Sequence, residues 1–288
     1  MKESWPALVL EWDRSPGAKG EQDPAEAIWA ALGNVEPAAV HETESAWKVF
    51  FGDRRSRDQA LLALASSGRS FRITAVDVED EDWARRTQAA LGAVKVGRFV
   101  VAPPWAAAEH DGALIVLPSM GFGSGHHATT RLCLVLLQAA AVEGKRVVDI
   151  GTGSGILAIA ACRLGAVEVT GIDVDPDALE NARENVELNG MGGAVSLRRE
   201  DFRSSNLRAD IITANLTSTA LTAGARQLAS MVEPLGRLIV SGFLETDEAT
   251  VASALSAQLG EAHPVERAVE EGWVALAFTG PPRRAEEA

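Results

Sequence analysis

Apolar residues recur along this 288-residue chain in two rhythms, one suited to strands and one to helices. Short alternating or clustered runs at Ala7 to Trp12, Trp47 to Phe51 and Phe71 to Val76 predict strands, with one more near Val35 to Val40. Between them, Asp23-Pro24-Ala25-Glu26 supplies an N-cap, a proline for the first helical position and the acid of a capping box. A helix is therefore expected to open there and to end at Gly33. Ser56 to Gln59 reads as a second capping box ahead of the apolar run LLALA. The order βαββαβ predicts a small α+β, ferredoxin-like sandwich over residues 1–77.

Residues 78–105 read as a connector: the acidic run Asp77 to Asp82 is expected to be a solvated face, Trp83 to Leu91 is helix-like, and Pro103-Pro104 marks a break. Over residues 106–288 strand and helix patterns alternate, with strands expected at Arg146 to Ile150, Val167 to Asp173, Val195 to Arg199, Ala209 to Ala214 and Gly236 to Ser241. That alternation predicts a doubly wound α/β domain with helices on both faces of a parallel sheet. His263 to Thr279 has no room for a crossover helix, so it is expected to add an antiparallel hairpin at the edge. The result is a mostly parallel, seven-stranded, Rossmann-like sheet, followed by a tail, Gly280 to Ala288, expected to fray.

Composition narrows the chemistry. The first residues, MKESWPALVLEWDRS, lack the pattern of a secretory signal, and no apolar run reaches the roughly 18 residues of a membrane span. A cytoplasmic location without membrane contact is expected. Cys133 and Cys162 sit in apolar helical contexts and read as buried thiols rather than a disulfide or metal pair. A formal charge of −13, from 40 acidic against 27 basic side chains, repels phosphate backbones and favours a basic partner. Tyrosine is absent, which removes phenolate chemistry.

The segment Val147-Val148-Asp149-Ile150-Gly151-Thr152-Gly153-Ser154-Gly155-Ile156-Leu157 is a buried strand that runs into glycines and then an apolar helix. Such a turn lets backbone approach a ligand at the carboxyl end of the first strand. The run from Gly153 also fits a dinucleotide fingerprint, which keeps a nicotinamide or flavin enzyme in view. Asp149 argues against it: a carboxylate before the first glycine gains nothing from a diphosphate, whereas it supplies a counter-charge to the ammonium and sulfonium of S-adenosylmethionine. Asp173, at the end of the next strand, is placed to accept both ribose hydroxyls, and Asp175 reads as the N-cap of the helix that starts at Pro176. A third contact is offered by Asp201, to the adenine amino group, with the Phe202 ring packed on the base.

These motifs resemble the class I methyltransferases. Three more pieces narrow the likeness to the family that methylates ribosomal protein L11: the loop Gly121-Phe122-Gly123-Ser124-Gly125-His126-His127-Ala128-Thr129-Thr130, the tripeptide Ala214-Asn215-Leu216, and Ser241-Gly242-Phe243-Leu244. The likeness covers most of the chain after about Val100; the N-terminal module matches in size and order. The resemblance implies a loop that folds over S-adenosylmethionine, with Thr130, Gly151, Asp173 and Asn215 at the cofactor; Phe122, Asp149, Gly153 and Asp201 are the further cofactor-binding candidates, Asn215 is the catalytic one, and no metal is expected. Gly121, Ser124 and Ala128 depart from the residues usual in the family, and the lost proline at 128 leaves the loop less preorganised. Adjacent histidines cannot easily face one metal, so His126 and His127 read as loop or substrate contacts. Thr129 reads equally as a helix cap or as part of the site.

Methyl transfer from a sulfonium is an in-line displacement that needs positioning more than acid–base machinery. The Asn215 side-chain oxygen, with a neighbouring carbonyl, is suited to accept an amine's N–H bonds and aim its lone pair. The resemblance implies a basic ribosomal protein, L11, as acceptor, methylated at lysine and terminal amines, with the first module steering it. A related lysine or small-amine methyltransferase is the alternative. A nucleic-acid methyltransferase is less favoured: Asn-Leu-Thr lacks the aromatic that stacks a flipped base, and no direct nucleic-acid contact is expected.

Overall fold

The computed structural model describes residues 4–12, 28, 32, 35, 37–42, 46–66, 72–79, 92–118, 127–260 and 263–282. The chain divides after Leu91 into two compact units. In the first, strands β1 (Ser4–Glu11), β2 (Ala39–Glu42), β3 (Ala46–Phe50) and β4 (Arg72–Glu79) form a sheet in the order β2-β3-β1-β4. Every neighbouring pair is antiparallel. That order and those directions are those of the expected ferredoxin-like arrangement. Leu8 and Leu10 of β1 share one face with Trp47 and Val49 of β3, and that face is closed by Ala60 and Leu64 of helix α1 (Arg54–Ala65) and by the helical residues Ile28 and Leu32. The rest of the helix expected from Asp23 lies outside the described residues, as does the stretch Trp83 to Leu91.

Two expectations in this unit change. The cap of α1 is Asp53 rather than Ser56: the Asp53 carboxylate accepts the Ser56 N–H at 2.8 Å and the Ser56 hydroxyl at 3.1 Å. An acid three residues upstream satisfies the same orphan amides that the capping-box reading assigned to the serine. Asp53→Ala is expected to destabilise this unit by about 1 kcal/mol and Ser56→Ala by only a few tenths, checked by denaturant unfolding. The start of the acidic run is also strand rather than connector, because β4 continues to Glu79 and Asp77 pairs with Arg54 at 2.7 Å and Arg57 at 3.2 Å.

The second unit opens with a small sheet that the sequence reading missed. Strands β5 (Val94–Val96) and β6 (Phe99–Ala102) form a hairpin through Gly97-Arg98, and β7 (Leu114–Ile115) joins β6 in parallel. The Pro103-Pro104 break is the start of a one-turn helix, α2 (Pro104–Ala107), with proline at its first position.

The large sheet contains β8 (Arg146–Ile150), β9 (Glu168–Asp173), β10 (Val195–Arg199), β11 (Ala209–Asn215), β12 (Val232–Leu244), β13 (Glu266–Glu270) and β14 (Trp273–Thr279). Their order is β10-β9-β8-β11-β12-β14-β13, parallel except for β14, which is antiparallel to both its neighbours. Helices α3 (Ala128–Ala139), α4 (Ile156–Arg163) and α5 (Pro176–Leu188) contribute to the core on one face. Helices α6 (Ser218–Ala223), α7 (Ala225–Met231) and α8 (Glu248–Leu259) contribute to the core on the other. The period of two explains why the strands read as unbroken apolar runs: Val147, Ile211 and Ile239 join the first core while Val148, Ile212 and Leu238 join the second.

The terminal hairpin turns through Glu271 (φ 53°) and Gly272 (φ 78°), left-handed conformations that suit the twist of a two-residue loop. The pairing of β12 with β11 skips from Val232 to Arg237, so the regular strand begins where Gly236 predicted it, and the residues between form a bulge with Leu235 at φ 62°. The tail is less frayed than expected at its start. Gly280 N–H donates to the Gly236 carbonyl at 2.8 Å and Leu235 N–H to that of Pro281 at 3.0 Å. Both cysteines are free thiols whose burial raises their pKa, that of Cys162 to about 11. Among the described residues no helix is long and apolar enough to cross a membrane.

Candidate active site

The strand order reverses between β8 and β11, with β9 on one side of β8 and β11 on the other, and ligands of such sheets bind in the crevice at the carboxyl ends there. Gly151, Gly153 and Gly155 follow β8 with φ of 64°, 53° and 78°, conformations that cost an L side chain 1–2 kcal/mol or more (about that range). The turn is also crowded from outside: a Cβ on Gly151 would stand 2.6 Å from Leu216 Cδ2 and one on Gly155 3.2 Å from Ala182 Cβ. Glycine thus keeps the backbone low enough for a ligand to rest on it.

Two acids organise this turn differently. Asp173, at the end of β9, accepts Gly153 N–H with Oδ2 and Asp175 N–H with Oδ1, both at 3.0 Å. A carboxylate has about four acceptor positions, so these bonds fix its direction and leave capacity for ligand hydroxyls. Asp175 caps α5 as expected, accepting Asp177 N–H at 3.0 Å. Asp149 is 1% exposed, and its oxygens accept the Thr152 hydroxyl at 2.7 Å and the Thr213 hydroxyl at 2.6 Å. Burial pushes its pKa up to about 6 against the opposing pull of those two hydroxyls. The negative charge therefore acts from inside the turn, and its hydrogen bonds tie the turn to β11. Neither hydroxyl was singled out from sequence. Gly171 of β9 makes room for one of them, since a Cβ there would meet Thr152 Oγ1 at 2.8 Å.

Asn215 ends β11 facing the first turn of α3. Its Nδ2 donates to Thr129 Oγ1 at 3.2 Å and, at 3.5 Å, to Thr130 Oγ1, which brings three of the sequence-selected residues together. Next to it, Leu216 N–H donates to the Ser241 carbonyl at 2.9 Å. Gly242, at φ 99°, admits the Leu216 backbone: a Cβ there would lie 2.3 Å from the Leu216 carbonyl oxygen. The tetrapeptide at 241–244 thus has a steric reason to contain glycine. It sets the Asn215-Leu216 corner beside Gly151.

The N-cap of α3 is His127, not Thr129: His127 Nδ1 accepts Thr129 N–H at 3.4 Å and lies 2.8 Å from Thr129 Oγ1. Its ring packs edge-on against Trp273, with centroids 4.8 Å apart. Burial and the Arg131 guanidinium lower its pKa, so the imidazole is neutral at pH 7. Arg131 in turn bridges to Glu270 at 3.0 Å and Glu271 at 3.2 Å, fixing the α3 N-terminus against the terminal hairpin.

At the third strand, Asp201 caps a short 3₁₀ turn by accepting Arg203 N–H at 2.9 Å. Phe202 does not present its ring to a base as expected: it is buried in the core with Ala209, Leu221 and Leu228, and its edge fills the space a Cβ on Gly224 would need. Phe122 and His126 lie outside the described residues. The sequence reading also passed over Asn181, Asn185 and Asn189 on α5. Asn185, fully buried, accepts Leu117 N–H at 2.7 Å and donates to the Ser154 carbonyl at 2.9 Å. Asn189 accepts Ile115 N–H at 3.0 Å and donates to its carbonyl at 2.7 Å. Together they dock residues 115–117 onto the helix that also braces the glycine turn. Their spacing of four along one helix face was the available signal.

The turn, the directed carboxylate of Asp173, the buried negative charge of Asp149 and the amide of Asn215 fit a cationic nucleoside with vicinal hydroxyls. Residues 21–280 match the family model described as ribosomal protein L11 methyltransferase (PrmA). The chain is 36% identical over 280 residues to the ribosomal protein L11 methyltransferase of Symbiobacterium thermophilum, covering 93% of this chain and 87% of that one. It is 39% identical over 256 residues to that of Cupriavidus pinatubonensis, covering 86% and 83%. Among solved structures it resembles ribosomal protein L11 methylase from Lactobacillus delbrueckii subsp. bulgaricus, at 27% identity and a TM-score of 0.59 over 67% of this chain and 99% of that one.

Proposed function

The chain belongs to the ribosomal protein L11 methyltransferase family and is an S-adenosylmethionine-dependent methyltransferase, and we propose that it methylates amines of ribosomal protein L11 in the cytoplasm. The observation that carries the residue assignment is the Asn215 carboxamide, held against the α3 threonines at the end of β11 and followed by Leu216, whose side chain packs beside Gly151. The methyl donor supplies an activated carbon on a sulfonium when bound. Gly151, Gly153 and the Asp173 carboxylate would hold it, Asp149 would offset its positive charge, and Thr130 would contact it. The Asp201 carboxylate, which caps its own turn through Oδ1, would accept the adenine amino group.

The acceptor amine must arrive neutral. Deprotonating a lysine with a pKa near 10.4 costs roughly 4 to 5 kcal/mol at pH 7, and an α-amine only about 1. Asn215 Oδ1 and the Leu216 carbonyl accept the N–H bonds of the neutral amine and direct its lone pair, which supplies orientation without a strong base. The antiparallel module within residues 1–77 serves as the recognition surface, and a net charge of −13 favours a basic protein partner over nucleic acid.

The direct test is mass spectrometry of purified ribosomal protein L11 after incubation with this enzyme and S-adenosylmethionine. Methyl increments at lysine or terminal amines are expected. Their absence, with cofactor binding intact by calorimetry, would move the acceptor to another amine. Exchanging residues 1–77 for those of a relative is then expected to move acceptor preference and leave cofactor affinity in place.

A further inference from the structure

A carboxamide can present either its oxygen or its nitrogen to a reacting amine, and only the oxygen accepts an N–H bond. The hydroxyls that hold Asn215 do not choose between these orientations by themselves, because a threonine hydroxyl both donates and accepts. His127 breaks the tie. As the N-cap of α3 its Nδ1 accepts the Thr129 peptide N–H, so it carries a lone pair in that direction and no proton. Thr129 Oγ1, 2.8 Å from the same nitrogen, must then donate its proton to Nδ1 and turn a lone pair to Asn215. Only the Asn215 NH2 can meet that lone pair, at 3.2 Å.

We infer that His127 is a positioning residue for the methyl-transfer step: through Thr129 it locks the Asn215 carboxamide with Oδ1 available to the acceptor amine. The inference rests on the assignment of Asn215 as the amine's acceptor. The chain of bonds has one polarity, Asn215 to Thr129 to His127, and it requires the imidazole to be neutral with its proton on Nε2. The neighbourhood enforces that state. Burial and the Arg131 guanidinium disfavour the imidazolium, and the Glu270 and Glu271 carboxylates, which would favour it, are paired with Arg131. Edge-on packing against Trp273 fixes the plane of the ring. A histidine at a helix N-cap is unusual. Here its Nδ1 takes the Thr129 hydroxyl as well as the Thr129 N–H, with no charge added to the ring.

Two measurements test this. In the ¹⁵N-labelled protein, the His127 ring is expected to show an unprotonated Nδ1 and a protonated Nε2 at pH 7; a proton on Nδ1 would overturn the polarity. In single-turnover methylation of L11, Thr129→Val, which keeps the shape and deletes the hydroxyl, is expected to lower the rate about tenfold while cofactor affinity stays as in the wild type. Thr129→Ser is expected to restore the rate. A valine variant as fast as wild type, or a serine variant as slow as a folded valine one, would overturn the inference. If the valine variant fails to fold, the serine rate and the ring tautomer decide. An inactive wild type would instead sink the acceptor assignment, and the tautomer would still report on the chain of bonds.

Discussion

Asn215→Ala is expected to lower the single-turnover methylation rate by about 10²- to 10³-fold, the usual effect of deleting one preorganised hydrogen-bonding group from a reacting centre. Cofactor affinity should change by no more than a few-fold, because the turn is shaped by Gly151, Gly153 and Asp173 without help from this side chain. The alanine also leaves the Thr129 and Thr130 oxygens without the NH2 they now accept from, while the Thr129 hydroxyl keeps its own bond to His127. Rapid-quench kinetics with calorimetry separates the two effects. Equal losses in rate and in affinity would make Asn215 a binding residue only. Asn215→Asp sharpens the contrast: a carboxylate keeps an acceptor for the amine but loses the donor to Thr129, so its rate should fall between those of the alanine variant and the wild type.

What the sequence revealed and what it hid follow from the range of each interaction. The central strands were legible because burial on both faces makes runs such as Leu238 to Val240 continuously apolar. The glycine turn was legible because left-handed φ leaves a compositional trace. The hidden features depend on partners distant in the chain. The bond from Thr213 to Asp149 spans 64 positions, and those from Ile115 and Leu117 to the α5 asparagines span 74 and 68. No periodicity records such pairs. Phe202 was misread for a related reason: an aromatic after an acid at a strand end looks like a base platform, and only the fold shows that Gly224 opens a slot for it in the core. His127 was missed as a cap because histidine is a rare cap residue, and Thr129 two positions later offered a commoner one.

Asp149→Asn is expected to weaken S-adenosylmethionine binding by about ten- to a hundredfold at pH 7 without weakening the fold. The sign follows from the raised pKa. In the folded protein Asp149 titrates at about 6, above its value near 3.9 in an unfolded chain (about that value). Its contribution to stability is fully present below the unfolded pKa and is lost as pH rises through the folded one, a difference of roughly 3 kcal/mol by pH 7. Asparagine removes the buried charge and keeps the shape, so the variant should melt at or above the wild-type temperature at pH 7, and this difference should shrink as pH falls from 7 to 5. Cofactor affinity should run the other way. The wild type gains affinity as pH rises through about 6, when Asp149 ionises, and calorimetry in buffers of different ionisation enthalpy should register proton release on binding near that pH. The variant should show neither the gain nor the release. A variant that binds as tightly as the wild type would reduce Asp149 to a strut between Thr152 and Thr213; one that is weaker but no less stable would establish that the fold tolerates a costly buried charge because the cationic methyl donor requires it.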